Sequence, residues 1–389
     1  MNSKDKVTLK KVYIAMLFDG LAVSSASVVL PLLRAQYNLQ YDFTGLLLAF
    51  LSVGNLAAAL LCGILPKFIG MKRTALLFII GMPVGYGLLA VFGMQLILIL
   101  GFLLIGIAKG ASMNNGTVIA GNAAPDRTKS VNMINAMFAL GSMLAPFVYA
   151  AAMADTLPWW TPIALLAGTG TVLWLFFVSI DFNESRFDKT SPKSENDKNV
   201  NKEWAFLKEK HFWLSTALLF GQQCAEISVT GWLVTYYKDQ GILSGIISEF
   251  TITIIWLAML AARLFIVFVL PIEKSRNSLT VMSVCSIITY VLMLFADNKA
   301  AAVITLFLFG VSIAGIYPTA IAQASKGLSN ASVGVQLPIA GIGAIAMPYI
   351  TGAVAQRIGI RGGMACSVIA LIWMLVFAIL LRFEERGEK

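Results

Sequence analysis

The sequence predicts an all-α membrane protein with twelve transmembrane helices in two six-helix repeats. Three observations carry this: an apolar composition, apolar segments of spanning length, and a second half that echoes the first. Of 389 residues, 58% are hydrophobic and only 13% charged, and the mean hydropathy is +0.80. A soluble domain carries roughly a quarter charged residues, so a soluble enzyme and a disordered chain are both excluded. Cys62, Cys224, Cys285 and Cys366 all lie in apolar runs and are too few for a disulfide framework. His211 is the sole histidine, which leaves no material for a zinc centre. No phosphate-binding loop or nucleophile arrangement is present. No enzymatic activity, cofactor or metal is therefore expected.

Segments of about 20 apolar residues suffice to cross a hydrocarbon layer of about 30 Å. Twelve such helices are predicted, over residues 12–33, 43–66, 74–93, 96–122, 131–153, 160–180, 212–236, 250–270, 278–296, 301–324, 331–355 and 363–381. The first is too long for a signal-peptide core and lacks a cleavage site, so it reads as a span. Residues 181–211 form a polar linker. It separates an N-terminal bundle (1–180) from a C-terminal bundle (212–389).

The net charge of +9 is not a nucleic-acid signal, because the basic residues sit in the short connections. With both termini placed in the cytoplasm, 22 of the 29 Lys and Arg face inside and five face outside. That bias predicts a multi-pass protein of the cell membrane with both ends cytoplasmic.

The two halves also match in sequence. Leu65 and Pro66 precede a basic loop, as do Leu270 and Pro271. Gly141 precedes Pro146 on helix 5, and Gly343 precedes Pro348 on helix 11. Repeated halves in one orientation are the layout of a rocking transporter, with the solute held at mid-membrane between them.

These features resemble the major facilitator superfamily. The loop GILPKFIGMKR, Gly63 to Arg73, is similar to its glycine-and-basic signature between helices 2 and 3, with Lys67 in place of the usual acid. Within the superfamily the second half resembles the fucose permease-like group of sugar symporters. Helix 7 carries QQCAEISVTGWLVTYY from Gln222 to Tyr237. Helix 8 carries Trp256, Met259 and Arg263. Helix 10 carries Gly315, Tyr317 and Pro318, and helix 11 carries AGIGAIAMP from Ala340 to Pro348. The resemblance implies the major facilitator fold and proton-coupled sugar transport. Helix 4 differs, reading AKGASMNNG where the fucose permease has an acid.

Four charged residues fall inside the predicted spans: Asp19, Lys109, Glu226 and Arg263. A charge at a span centre costs about 2.5–3.5 kcal/mol, so it faces a cavity or a partner. Glu226, roughly 20 Å along helix 7 at 1.5 Å per residue, is the leading candidate for proton coupling and for accepting hydrogen bonds from solute hydroxyls. Asp19 is a second protonation candidate, placed in the cytoplasmic third of helix 1. Lys109 either donates to solute oxygens or pairs with Asp19 or Glu226. Arg263 reads as a partner for a helix-end carbonyl or a carboxylate. Glu249 is expected just outside helix 8, in reach of water.

Sugar binding needs amides and carboxylates for hydroxyls and aromatic faces for the C–H side. Gln222, Gln223, Asn114, Asn115, Tyr317 and Gln336 are the further candidates for substrate contact, with Thr230, Trp232, Tyr236, Asn135 and Gln323 behind them. The competing role for each amide is to tie membrane helices together. Trp159 and Trp160 read as interface anchors.

The expected function is a secondary active transporter that moves a small polar solute, a monosaccharide or related polyol, by proton-coupled alternating access. Sodium is the other ion compatible with the sequence. The alternative is an exporter of amphipathic compounds, a drug/proton antiporter, favoured by 16 Met and 24 Phe. The expected partners are the solute, the ion and the bilayer, with no nucleic acid, and a monomer is expected.

Overall fold

The computed structural model describes residues 3–152, 157–180, 182, 205–268, 275–324 and 330–387. Those residues are helical almost throughout. In chain order the helices are α1 (Ser3–Tyr37), α2 (Tyr41–Ile64), α3 (Pro66–Ile69), α4 (Met71–Ile79), α5 (Gly81–Val91), α6 (Gln95–Ala123), α7 (Arg127–Ala152) and α8 (Thr161–Ser179). After the linker come α9 (Lys210–Asp239), α10 (Ile246–Phe268), α11 (Ser275–Leu294), α12 (Lys299–Ala314), α13 (Ile316–Ala324), α14 (Asn330–Ile358) and α15 (Ile360–Gly387). Most of the linker, together with Leu270, Pro271 and Lys326, lies outside the described residues.

Eleven segments are long and apolar enough to cross a membrane. The predicted helix 7, now α9, is the twelfth segment of the layout and is not among those eleven. It has 30 residues, but Gln222, Gln223, Glu226 and its hydroxyl residues dilute its apolar content. Large apolar side chains such as Leu96, Phe68 and Ile369 stand more than two-thirds exposed. Helices that are apolar all round suit a lipid surround.

Two predicted helices are broken, and proline explains both. Helix 3 divides at Ile80, ahead of Pro83. Helix 10 divides at Gly315, ahead of Pro318. A proline lacks the N–H that the carbonyl four residues earlier would accept. In the loop after α2, Gly70 takes φ +82° between α3 and α4, a conformation that glycine adopts without a Cβ clash.

The chain divides into two compact units, Met1–Leu39 with Phe50–Ser194, and Gln40–Ala49 with Glu195–Lys389. In the first, α1 packs most extensively on α7, then on α8 and α6, and α5 packs on α6 and α8. Lys11 and Lys72 close this unit by donating to the last carbonyls of the α8 segment, those of Ser179 (2.6 Å) and Ile180 (3.1 Å). Cations there complement the negative end of the helix. In the second unit α9 takes the place of α1, packing on α14, α15 and α13, while α11 packs on α15. The same pairs of helices meet in both units, which is the repeat read from the sequence.

The repeated glycines sit at close backbone approaches within these contacts. A Cβ on Gly141 of α7 would fall on the backbone of Leu17 in α1. One on Gly343 of α14 would meet the Phe220 carbonyl of α9 at 2.7 Å. Backbone cannot yield as a side chain can. Gly141→Leu is therefore expected to remove nearly all monodisperse protein extracted from membranes. Gly168→Leu on α8, with open space at its Cβ, should be tolerated. Equal yields of the two variants would contradict the packing account.

Candidate functional site

Among the described residues, each unit brings charged and polar side chains together inside its helical core. In the first unit the cluster centres on Asp19. Helix α1 runs from Ser3 to Tyr37, with Asp19 near its middle. It is fully buried, and neither carboxylate oxygen accepts a hydrogen bond among the described residues. Lys109 and Ser112 of α6 and Tyr86 of α5 are the polar groups that act on it. The Ser112 hydroxyl turns back to the Lys109 carbonyl at 2.9 Å, and the Tyr86 hydroxyl donates to the Ala22 carbonyl. The Lys109 ammonium is the positive charge that acts on the buried carboxyl, beside Ser112. Asp19 and Lys109 were both legible in the sequence. Tyr86 was not, because a tyrosine inside an apolar run gives no signal of what it faces.

In the second unit the cluster centres on Glu226, near the middle of α9. Gln222, one turn earlier and fully buried, donates its amide nitrogen to the Glu226 carboxylate. The other end of the same amide, Gln222 Oε1, has no hydrogen-bond partner among the described residues. Tyr317 of α13 lies within electrostatic reach of both Glu226 and Arg263. Arg263 of α10 donates Nε to the Ala314 carbonyl at 3.2 Å. Ala314 is the residue four before Pro318, so its carbonyl is the one that the proline leaves without a helical donor. The break in helix 10 and the arginine on the neighbouring helix are parts of one device, which holds Tyr317 beside Glu226.

This predicts the effect of Arg263→Met. An orphaned buried carbonyl costs about 1–3 kcal/mol, so the variant should melt several degrees lower in detergent and lose transport. An unchanged melting temperature would show that the carbonyl is satisfied another way.

The remaining candidates divide by what their polar atoms do. Gln223, Asn114 and Thr230 are half-buried, and Thr230 returns its hydroxyl to the Glu226 carbonyl oxygen at 2.7 Å. Asn115 is buried, with its amide on the Ala111 carbonyl at 2.8 Å and the Cys62 sulfur at 3.7 Å. Gln336 is buried, with its amide on Ser215 Oγ at 2.9 Å and the Phe212 carbonyl at 3.3 Å. Asn115 and Gln336 are thus used in helix contacts. Trp232 and Tyr236 present no open face either. Both are fully buried, bonded to the carbonyls of Pro348 (3.0 Å) and Leu294 (3.3 Å). Asn135 is exposed and bonds back to Val131. The side chain of Gln323 lies outside the described residues. Trp159 packs edge-on against Tyr37, with ring centroids 5.5 Å apart. Glu249 corrects its expectation: it lies inside the first turn of α10 and is buried, not open to water.

The family profile described as Major Facilitator Superfamily matches residues 12–337. The chain belongs to that superfamily. It is 20% identical over 378 residues to a protein named "Protein TsgA homolog" from Buchnera aphidicola subsp. Baizongia pistaciae (strain Bp), covering 95% of this chain and 94% of that one. Among solved structures it resembles the nucleoside transporter NupG, with a TM-score of 0.75, 18% identity and 98% of each chain covered. It also resembles a bacterial homolog of the human lysosomal transporter Spinster, with a TM-score of 0.77 and 11% identity over 98% of this chain and 97% of that one. At these identities the structural likeness establishes the fold. As a member of the superfamily, the chain is a multi-pass secondary transporter of small molecules.

Proposed function

We propose that this superfamily member imports a small neutral polar solute, a monosaccharide or a compound that carries a sugar, together with a proton. Both termini would be cytoplasmic, as the 22-to-5 distribution of basic residues favours. The observation that carries the reading is the Glu226 cluster. A carboxylate, an amide, a phenol and a guanidinium meet on three neighbouring helices in the middle of an otherwise apolar bundle. That mixture of acceptors and donors suits hydroxyl groups. The helix 7 motif, which resembles that of sugar symporters, supports the same class, and so does the fold shared with a nucleoside transporter.

Asp19 and Glu226 are the proton-coupling groups of this reading. A buried carboxyl is stable either neutral or beside a compensating charge. A transport cycle that moves the compensating group away, or brings solute to it, shifts the carboxyl between those states. In this reading Lys109 opposes Asp19, while Arg263 and Gln222 act at Glu226. The half-buried Gln223 and Asn114 extend the solute contacts.

The test is uptake of a labelled panel of monosaccharides and nucleosides into proteoliposomes, with and without an inward proton gradient. Gradient-dependent accumulation of one of them is expected. Accumulation driven by sodium alone would overturn the proton assignment. Protection of cells against amphipathic toxins, with no sugar or nucleoside moved, would favour the exporter.

A further inference from the structure

Resting on the sugar reading above, we infer that Gln222 and Glu226 together bind a vicinal diol of the solute, with both hydroxyls acting as hydrogen-bond donors. The argument starts from the amide. Gln222 Nε2 is committed to the Glu226 carboxylate, which fixes the orientation of the amide. Its oxygen lies on the same planar amide as that nitrogen. Gln222 Oε1 is a buried acceptor with no donor among the described residues, on a side chain with no exposed surface. Leaving such an acceptor unmet is unfavourable, and a site that contains one discriminates against ligands that do not supply the missing group.

The ligand at this point must therefore bring donors. The Glu226 carboxylate and the Gln222 amide oxygen are two acceptors on side chains one helical turn apart. Adjacent hydroxyls on a sugar ring stand about one hydrogen-bond length apart and match such a pair. An anionic group would meet two acceptors and be repelled. A protonated amine also donates, but Arg263 already supplies positive charge to this cluster through its reach to Tyr317. Neutral hydroxyls remain as the fitting donors. The inference thus narrows the solute to sugars or ribosides with an intact diol.

The test uses the full chain in proteoliposomes and measures counterflow with matched pairs: methyl β-D-ribofuranoside against methyl 2-deoxy-β-D-ribofuranoside, and uridine against 2′-deoxyuridine and 3′-deoxyuridine. Wild-type protein is expected to favour the intact diol by at least about tenfold in any pair that it transports. Gln222→Met, which keeps the length but removes the amide, should shrink that preference to below about twofold. Equal transport of intact and deoxy probes by the wild type overturns the inference and leaves the sugar reading standing. A preference that persists in Gln222→Met places the diol elsewhere and also overturns it. Failure of all these probes to move overturns the inference for ribosides, while the sugar reading itself is decided by the uptake panel above.

Discussion

Replacing Glu226 with Gln is expected to abolish proton-driven accumulation while leaving exchange of solute across the membrane. Gln has nearly the shape of the protonated acid, keeps a hydrogen-bonding head beside Gln222, and cannot release a proton. In the coupled cycle the loaded carrier returns solute whether or not the group can titrate, so labelled solute still exchanges for unlabelled. Net uphill movement needs the carboxyl to deprotonate on the inner side, and the variant cannot do this. Inside and outside concentrations should therefore equalise and go no further, whatever gradient is applied. A Glu226→Gln protein that still concentrates solute would show that the proton is carried elsewhere, with Asp19 the next group to test. Loss of exchange as well as accumulation would assign Glu226 to solute binding alone.

The second large effect concerns the first unit. Lys109→Met should destabilise the protein by about 1–3 kcal/mol, the cost of leaving a buried polar group without its compensation. Adding Asp19→Asn should restore most of it. The reason is that Asp19 is fully buried, and Lys109 is the positive charge that acts on its carboxyl, beside Ser112. Without that ammonium the carboxyl must stay neutral or carry an unmet charge. Thermal unfolding of the single and double variants in detergent measures this directly. Equal destabilisation by the single and the double change would mean that Lys109 acts through its packing and not through Asp19.

Much of the fold was legible because a bilayer leaves few choices. Spanning length, the linker and the repeat all follow from apolar segment lengths and from pairs such as Gly141 and Gly343, whose positions are fixed by backbone contact. The ends of helices were less legible. The N-terminal turns of α1 carry Lys4, Lys6, Lys10 and Lys11, which are polar yet helical, so the helix runs beyond the apolar segment. Glu249 was misjudged for a related reason: a charge near a predicted helix end reads as solvated, whereas its side chain folds inward.

At the site, sequence pattern singled out Glu226, Lys109 and Gln222 because polar groups in an apolar run are conspicuous. It did not separate groups left available from groups already used. Gln336 and Gln222 look alike in sequence. Yet Gln336 uses its amide protons on Phe212 and Ser215, and Gln222 leaves its oxygen unmet. Only the packing of neighbouring helices decides this. The arginine that satisfies Ala314 was recognisable as a partner for a helix-end carbonyl. The particular carbonyl follows once Pro318 is seen to free it.

The most direct measurement of the central claim is proton movement driven by solute alone. Proteoliposomes loaded with a pH-sensitive dye and given an inward gradient of a transported sugar or nucleoside, with no imposed pH gradient, should acidify inside as solute enters. Glu226→Gln vesicles should not acidify. Solute entry without acidification in the wild type would contradict coupling through Asp19 and Glu226.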